Sequence, residues 1–191
     1  MTGRYNGWAV ALHWAIAALI LFQIPYAWWW MGALPDDSAA HAQSMVLHMS
    51  IGLSILILSL ARLGLRLAVP PPPLPADLTG WERTLARTIH VLFYVLIIGI
   101  PIGGWVLASL SPRPITFFGL FEWPHLPGLS GLAKPARHAI SKPVGLLHQS
   151  ILPWAMVVLF ALHVGGALKD QLAGAPVFWR MIPFLRRPAK A

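Results

Sequence analysis

The sequence predicts an all-α integral membrane protein, a bundle of four transmembrane helices with both termini cytoplasmic. Three observations carry that expectation. Hydrophobic residues make up 57% of the 191, charged residues only 10%, and mean hydropathy is +0.66, whereas a soluble domain carries about 25% charge. Four apolar stretches are each long enough for the roughly 20 residues that a bilayer crossing takes. The basic residues, which give a net charge of +8, sit scattered at the ends of those stretches; that pattern orients a chain in a membrane and does not suit a nucleic-acid binder.

The first span covers about residues 8–30, with Arg4 ahead of it and Tyr26, Trp28, Trp29 and Trp30 at its far end as an interfacial belt. It is too long, and its end too rich in tryptophan, for a cleaved leader. Residues 34–44, with Pro35, Asp36, Asp37 and Ser38, read as a short polar loop. The second span, 45–67, ends with Arg62 and Arg66, and Pro70 to Pro73 with Pro75 follow as a stiff extended connector. The third, 85–110, starts with Arg83 and Arg87 and contains Pro101, where a bend is expected.

Residues 111–143 are rich in Pro, Gly and aromatics, Phe117, Phe118, Phe121 and Trp123 among them. They are too broken to span and too apolar to float freely, so they are expected to lie as a loop on the outer membrane surface. The fourth span, 144–168, leads into a basic cytoplasmic tail, 169–191, with Arg180, Arg186, Arg187 and Lys190. No internal repeat is evident, and residues 1–191 read as a single membrane domain.

Ten basic residues fall on the side of the termini and of the connector between spans two and three: Arg4, Arg62, Arg66, Arg83, Arg87, Lys169, Arg180, Arg186, Arg187 and Lys190. Four fall on the other side, Arg113, Lys134, Arg137 and Lys142, all in the long outer loop. The excess places both termini inside the cell. Cysteine is absent, which removes disulfides, thiolate metal sites, c-type haem attachment and cysteine-held iron–sulfur clusters together.

Five of the eight histidines fall within the spans: His13, His48, His90, His148 and His163. Ionisable groups inside a membrane are costly and mark function; one alone can be a helix–helix hydrogen-bond donor, but five in four helices need a stronger reason. Because neighbouring helices run in opposite directions, His48 and His148 share a level near the outer face, and His13 and His163 share one near the inner face. His148 and His163 are 15 residues apart, about 22 Å and about four turns of helix, so two levels lie along one bundle face. Bis-imidazole haem ligation asks for opposed neutral histidines in a bundle core, and no carboxylate is available at either level for another kind of metal site. His90, near the inner start of span three, can replace His13 or His163, or bond a haem propionate or a quinone.

Smaller residues suit a large flat cofactor. Gly52 lies four residues after His48, on the same helical face, and lets a porphyrin approach the backbone; Gly103, Gly104, Gly165 and Gly166 serve either that purpose or tight helix packing. Arg62 and Arg66 are one turn apart at the inner end of span two, where they either pair with propionates of an inner haem or simply snorkel to the interface.

The chain resembles the bacterial cytochrome b561 family, which is related to the b-type cytochrome subunits of nickel–iron hydrogenases. The matching residues are Tyr5 and His13-Trp14, His48-Met49-Ser50-Ile51-Gly52 with Arg62 and Arg66, the prolines that follow, Pro101 and Gly104, Phe118-Gly119-Leu120, the two histidines of span four, and Arg180-Met181-Ile182-Pro183. The resemblance covers nearly the whole chain. It implies a multi-pass protein of the bacterial inner membrane with two haem b groups, His48 with His148 outside and His13 with His163 inside. It also implies electron exchange with a quinone, ubiquinone above all. The family separates the histidines of span four by about 14 residues; here a proline-linked bulge near Pro153 can absorb the additional one.

Three functions follow as expectations. The first is electron transfer between an outer-face donor or acceptor, superoxide in some similar proteins, and membrane quinone, with Arg113, Lys134, Arg137 and Lys142 either steering an anion or binding lipid headgroups. The second is a haem-bearing membrane anchor for a periplasmic redox enzyme, docked on the outer loop. The third is a small non-haem transporter whose histidines relay protons.

Overall fold

The computed structural model describes residues 3–73, 79–173 and 178–182; Pro75, Pro183, Arg186, Arg187 and Lys190 lie outside the described residues. Among the described residues, four helices are long and apolar enough to cross a membrane. The first begins as α1 (Gly7–Pro25), started by the Asn6 side chain accepting from the Trp8 N–H, and continues through a π turn (Tyr26–Trp30) and a 3₁₀ turn (Met31–Ala33). The second is α2 (Ala39–Ala68) and the third α3 (Gly80–Ser109). The fourth runs without a break through α4 (Lys134–Leu146), a π turn (Leu147–Ile151) and α5 (Leu152–Leu172).

Two segments expected to be loop are helical. Of residues 34–44, only the first part stays irregular, because the Ser38 hydroxyl accepts from the His41 N–H and caps a helix starting at Ala39. The stretch 111–143 is more ordered than a surface loop. It contains an antiparallel hairpin, β1 (Ile115–Phe117) with β2 (Phe121–Trp123), and it enters helix at Lys134, where Pro135 occupies a first-turn position that needs no N–H. Nor does Pro101 interrupt α3, which continues to Ser109.

The hairpin is held at the depth of α2's His48 and not laid over the bundle. Phe118 N–H donates to Ser50 Oγ at 2.7 Å, Ile115 and Ser50 are buried, and beyond β2 the Leu126 N–H donates to Ser109 Oγ at 2.9 Å while Trp105 Nε1 donates to the Pro124 carbonyl. At the opposite end of the molecule the first described residues and residues 178–182 meet. Trp14 Nε1 donates to the Met181 carbonyl and Arg4 to the Ile182 carbonyl, each at 2.7 Å, so residues 178–182 of the expected tail fold back against α1. Lys169 near the end of α5 pairs with Glu82 at the start of α3.

Ile16, Ile51, Ile55, Ile89, Leu96, Ile97, Met156 and Leu159 form the core, drawn from all four long helices. Outward lie Leu21, Phe22, Ile57, Leu60, Val91, Val95, Val158 and Leu162, an apolar exterior that water would not tolerate and lipid matches. Fully buried Ser50, Ser59 and Ser109 are small enough to let membrane helices approach. The backbones pack closely between α1 and α2, α2 and α3, α3 and α4, and α3 and α5. Across the bundle, α1 meets α5 and α2 meets the π turn through side chains.

Candidate functional site

The intramembrane histidines lie along those side-chain seams. At the hairpin end, His48 of α2 and His148 of the π turn face each other with ring centres 6.0 Å apart and planes at 89°. At the opposite end, where residues 178–182 fold against α1, His13 of α1 and His163 of α5 stand 6.3 Å apart at 64°. A metal–imidazole bond is about 2 Å and the ring centre about 1.2 Å further, so two imidazoles on one iron have centres about 6.4 Å apart. Both pairs have that separation. They are donor sets that fit a bis-imidazole haem.

The π turn brings this about on the fourth helix. It contains His148, and Pro153 stands directly after it at the start of α5. A π turn takes in one extra residue, so the 15 residues between His148 and His163 wind like about 14, and both rings point into the bundle.

Hydrogen bonds orient the rings. His148 Nδ1 is 2.9 Å from the Ile100 carbonyl oxygen. A carbonyl can only accept, so Nδ1 carries the proton and Nε2 keeps the lone pair that a metal needs. His90 Nδ1 is 2.6 Å from Ala86 O, one turn earlier in its own helix, and is fixed in the same tautomer. His48 is contacted by Gln23, a residue without an apolar-periodic signal, whose Nε2 lies 2.9 Å from Nδ1 and donates to the His48 carbonyl at 2.8 Å.

The group around His163 holds more than a pair. His163 also has His90 at 5.7 Å and Phe93 at 5.3 Å, ring centre to ring centre. Arg62 and Arg66 both lie over the ring of Tyr94, at 5.6 and 5.7 Å, and Tyr94 is one turn after His90 on α3. The aromatic face therefore gathers both guanidinia by cation–π attraction at the same end of the bundle as His90. Tyr94 is legible only as the residue four positions beyond His90.

The glycines divide. A Cβ on Gly52, Gly165 or Gly166 meets nothing within 4 Å, so the space at each is open. Gly103 and Gly104 instead serve close helix packing: a Cβ on Gly104 would come within 2.8 Å of His148 Cε1, so its absence admits the imidazole itself.

A four-helix membrane bundle with paired imidazoles near both ends has the form of a membrane cytochrome. The chain belongs to the prokaryotic cytochrome b561 family, whose model matches residues 4–184, and is a membrane haem protein of that family. It is 31% identical over 169 residues to cytochrome b561 homolog 2 of Escherichia coli strain K12, covering 88% of this chain and 85% of that one. Cytochrome b561 homolog 1 of the same organism is 25% identical over 174 residues, 86% and 88% of the two chains. The probable superoxide oxidase CybB of Yersinia pestis is 26% identical over 126 residues, 65% and 69% of the two.

Proposed function

We propose that this protein is a di-haem electron conduit of the bacterial inner membrane, passing electrons between an outer-face donor or acceptor and membrane quinone. The observation that carries the reading is the pair of imidazole couples, at 6.0 and 6.3 Å, set about four turns apart along one helix. His48 and His148 hold the outer haem and His13 and His163 the inner one. Each haem supplies reversible one-electron chemistry, and two at different depths divide a hydrocarbon layer of about 30 Å into short tunnelling steps.

The chain's own groups orient, enclose and balance charge. Ile100 fixes the donor face of His148, the apolar core keeps water from both sites, and Arg62 and Arg66 offset propionate charge at the inner end. His90 lies beside His163 with its Nε2 lone pair free of its own helix, available to accept a hydrogen bond from the hydroxyl of a quinol. The clustering of ten basic residues on the side of the termini and the connector supports cytoplasmic termini.

Superoxide is the outer reductant we favour, with ubiquinone as acceptor. The similarity to a probable superoxide oxidase supports it. So do Arg113, Lys134 and Lys142, which are exposed at the hairpin end; Arg137 is half-buried and turns toward the Leu110 carbonyl. Reduced-minus-oxidised spectra with haem quantitation test the core of the reading. Two haems per chain are expected, with one lost in His48→Ala and one in His13→Ala. A single haem in the wild type, or two in either variant, overturns it. Superoxide-driven haem reduction that persists unchanged after all four outer cations are neutralised removes them from substrate capture.

A further inference from the structure

We propose that Gln23 is a positioning residue for the outer haem, acting through the His48 imidazole; this rests on the assignment of His48 and His148 as one ligand pair. Gln23 is 8% exposed and sits in an apolar helix, where a side-chain amide is kept only if its hydrogen bonds matter. Its NH₂ group faces both Nδ1 and the carbonyl oxygen of His48, at 2.9 and 2.8 Å, while its own Oε1 is buried with no hydrogen-bond partner among the described residues.

The chemistry of the two ends makes this arrangement one of two. With the amide nitrogen on Nδ1, that ring atom accepts, the imidazole proton sits on Nε2, and no lone pair faces inward. An iron on Nε2 requires the reverse: Nδ1 carries the proton and needs an acceptor. Gln23 supplies one by rotating its terminal amide through 180°, since oxygen and nitrogen then exchange places in nearly the same volume. The flip gives up the bond to the His48 carbonyl, so the amide also swings off that oxygen; the orphaned Oε1 then accepts from Nδ1–H, and Nε2 is presented to the metal.

The outer pair is therefore supported unequally. His148 is held by the fixed backbone carbonyl of Ile100, His48 by a rotatable side chain. Gln23 sets which tautomer His48 adopts, and through the strength of the Nδ1 hydrogen bond it sets how much electron density the imidazole gives to iron.

Three full-length proteins test this, each in a His13→Ala background that retains one haem: Gln23, Gln23→Leu and Gln23→Glu. Haem affinity is measured by competition with a haem-scavenging apoprotein, and the remaining haem by midpoint potential and low-spin EPR g values. Gln23→Leu has no acceptor and weakens haem binding about 10–100-fold, the usual effect of removing the group behind a ligand histidine. Gln23→Glu keeps an acceptor of the same length, retains haem better than Gln23→Leu, lowers the potential and shifts the g values. A space-filling role gives the opposite order, because a buried carboxylate is worse tolerated than leucine.

Equal affinities and unchanged potential and g values across the three overturn the proposal. So does Gln23→Glu losing haem more readily than Gln23→Leu. If Gln23→Leu does not insert into the membrane, the potential and g values of Gln23→Glu decide alone. A His13→Ala protein that keeps two haems, or none, removes the ligand assignment and this inference with it.

Discussion

The Nδ1 atom of His148 lies 2.9 Å from the carbonyl oxygen of Ile100, on the turn of α3 that ends in Gly103-Gly104. The same short stretch of α3 thus fixes the tautomer of an outer ligand and gives its ring room. Gly104→Ala places a methyl group 2.8 Å from Cε1 of that ring, which forces the imidazole or the helix to move. The expected result is loss of the outer haem with retention of the inner one, read as a fall from two haems to one per chain. Gly52→Ala meets no protein atom within 4 Å and tests the other side of the site: it weakens the outer haem only if the porphyrin lies against α2.

His90 and His13 compete as the inner partner of His163, since their ring centres stand 5.7 and 6.3 Å from it. The separation that two imidazoles on one iron require, about 6.4 Å, favours His13. On this assignment His90→Phe keeps both haems and their spectra, while electron exchange with quinol slows at least about tenfold, as for loss of a positioned proton acceptor. His163→Phe removes the inner haem. If His90→Phe loses a haem and His13→Phe keeps both, the inner ligand is His90.

Arg62 and Arg66 share the face of Tyr94, which keeps two positive charges at the inner end. A cation stabilises the reduced haem, whose iron carries one positive charge fewer. Arg62→Gln therefore lowers the inner midpoint potential and leaves the outer one in place. A charge about 10 Å away is worth about 1.7 kcal/mol at an effective dielectric of about 20, so the fall is on the order of tens of millivolts. Tyr94→Leu frees both guanidinia and produces a smaller change in the same haem.

The spans and the histidine levels were legible because apolar length and the helical repeat act over many residues and need no tertiary knowledge. What escaped depends on single side chains. Asp36-Asp37-Ser38 reads as a polar loop, yet Ser38 is a cap and the helix starts at Ala39. Pro143 reads as a boundary, yet the helix begins at Lys134 and passes through it, since a membrane bundle can satisfy the freed carbonyl. Gln23 is one polar residue in an apolar run, and its importance lies in a contact made 25 positions later in the chain. The π turn at His148 had a signal, the additional residue between two histidines, and its position beside Pro153 gives that signal a structural cause.

Ser50 offers a test of the hairpin that the sequence did not disclose. Its fully buried hydroxyl donates to Val46 O at 2.7 Å and accepts from the Phe118 N–H at 2.7 Å. Phe118 has φ of +50° and Gly119 of +71°; the left-handed region suits the glycine and strains the phenylalanine, so the Ser50 contact offsets a local cost. Ser50→Ala leaves the Phe118 N–H without its acceptor, a loss of about 1–3 kcal/mol, while the shorter side chain creates almost no clash. The expected outcome is a lower unfolding midpoint in detergent and faster proteolysis between Phe118 and Phe121. Haem stoichiometry should stay unchanged, because His48 keeps its own contacts to Gln23. Loss of the outer haem together with the hairpin would mean that the loop, and not the helices alone, closes that site.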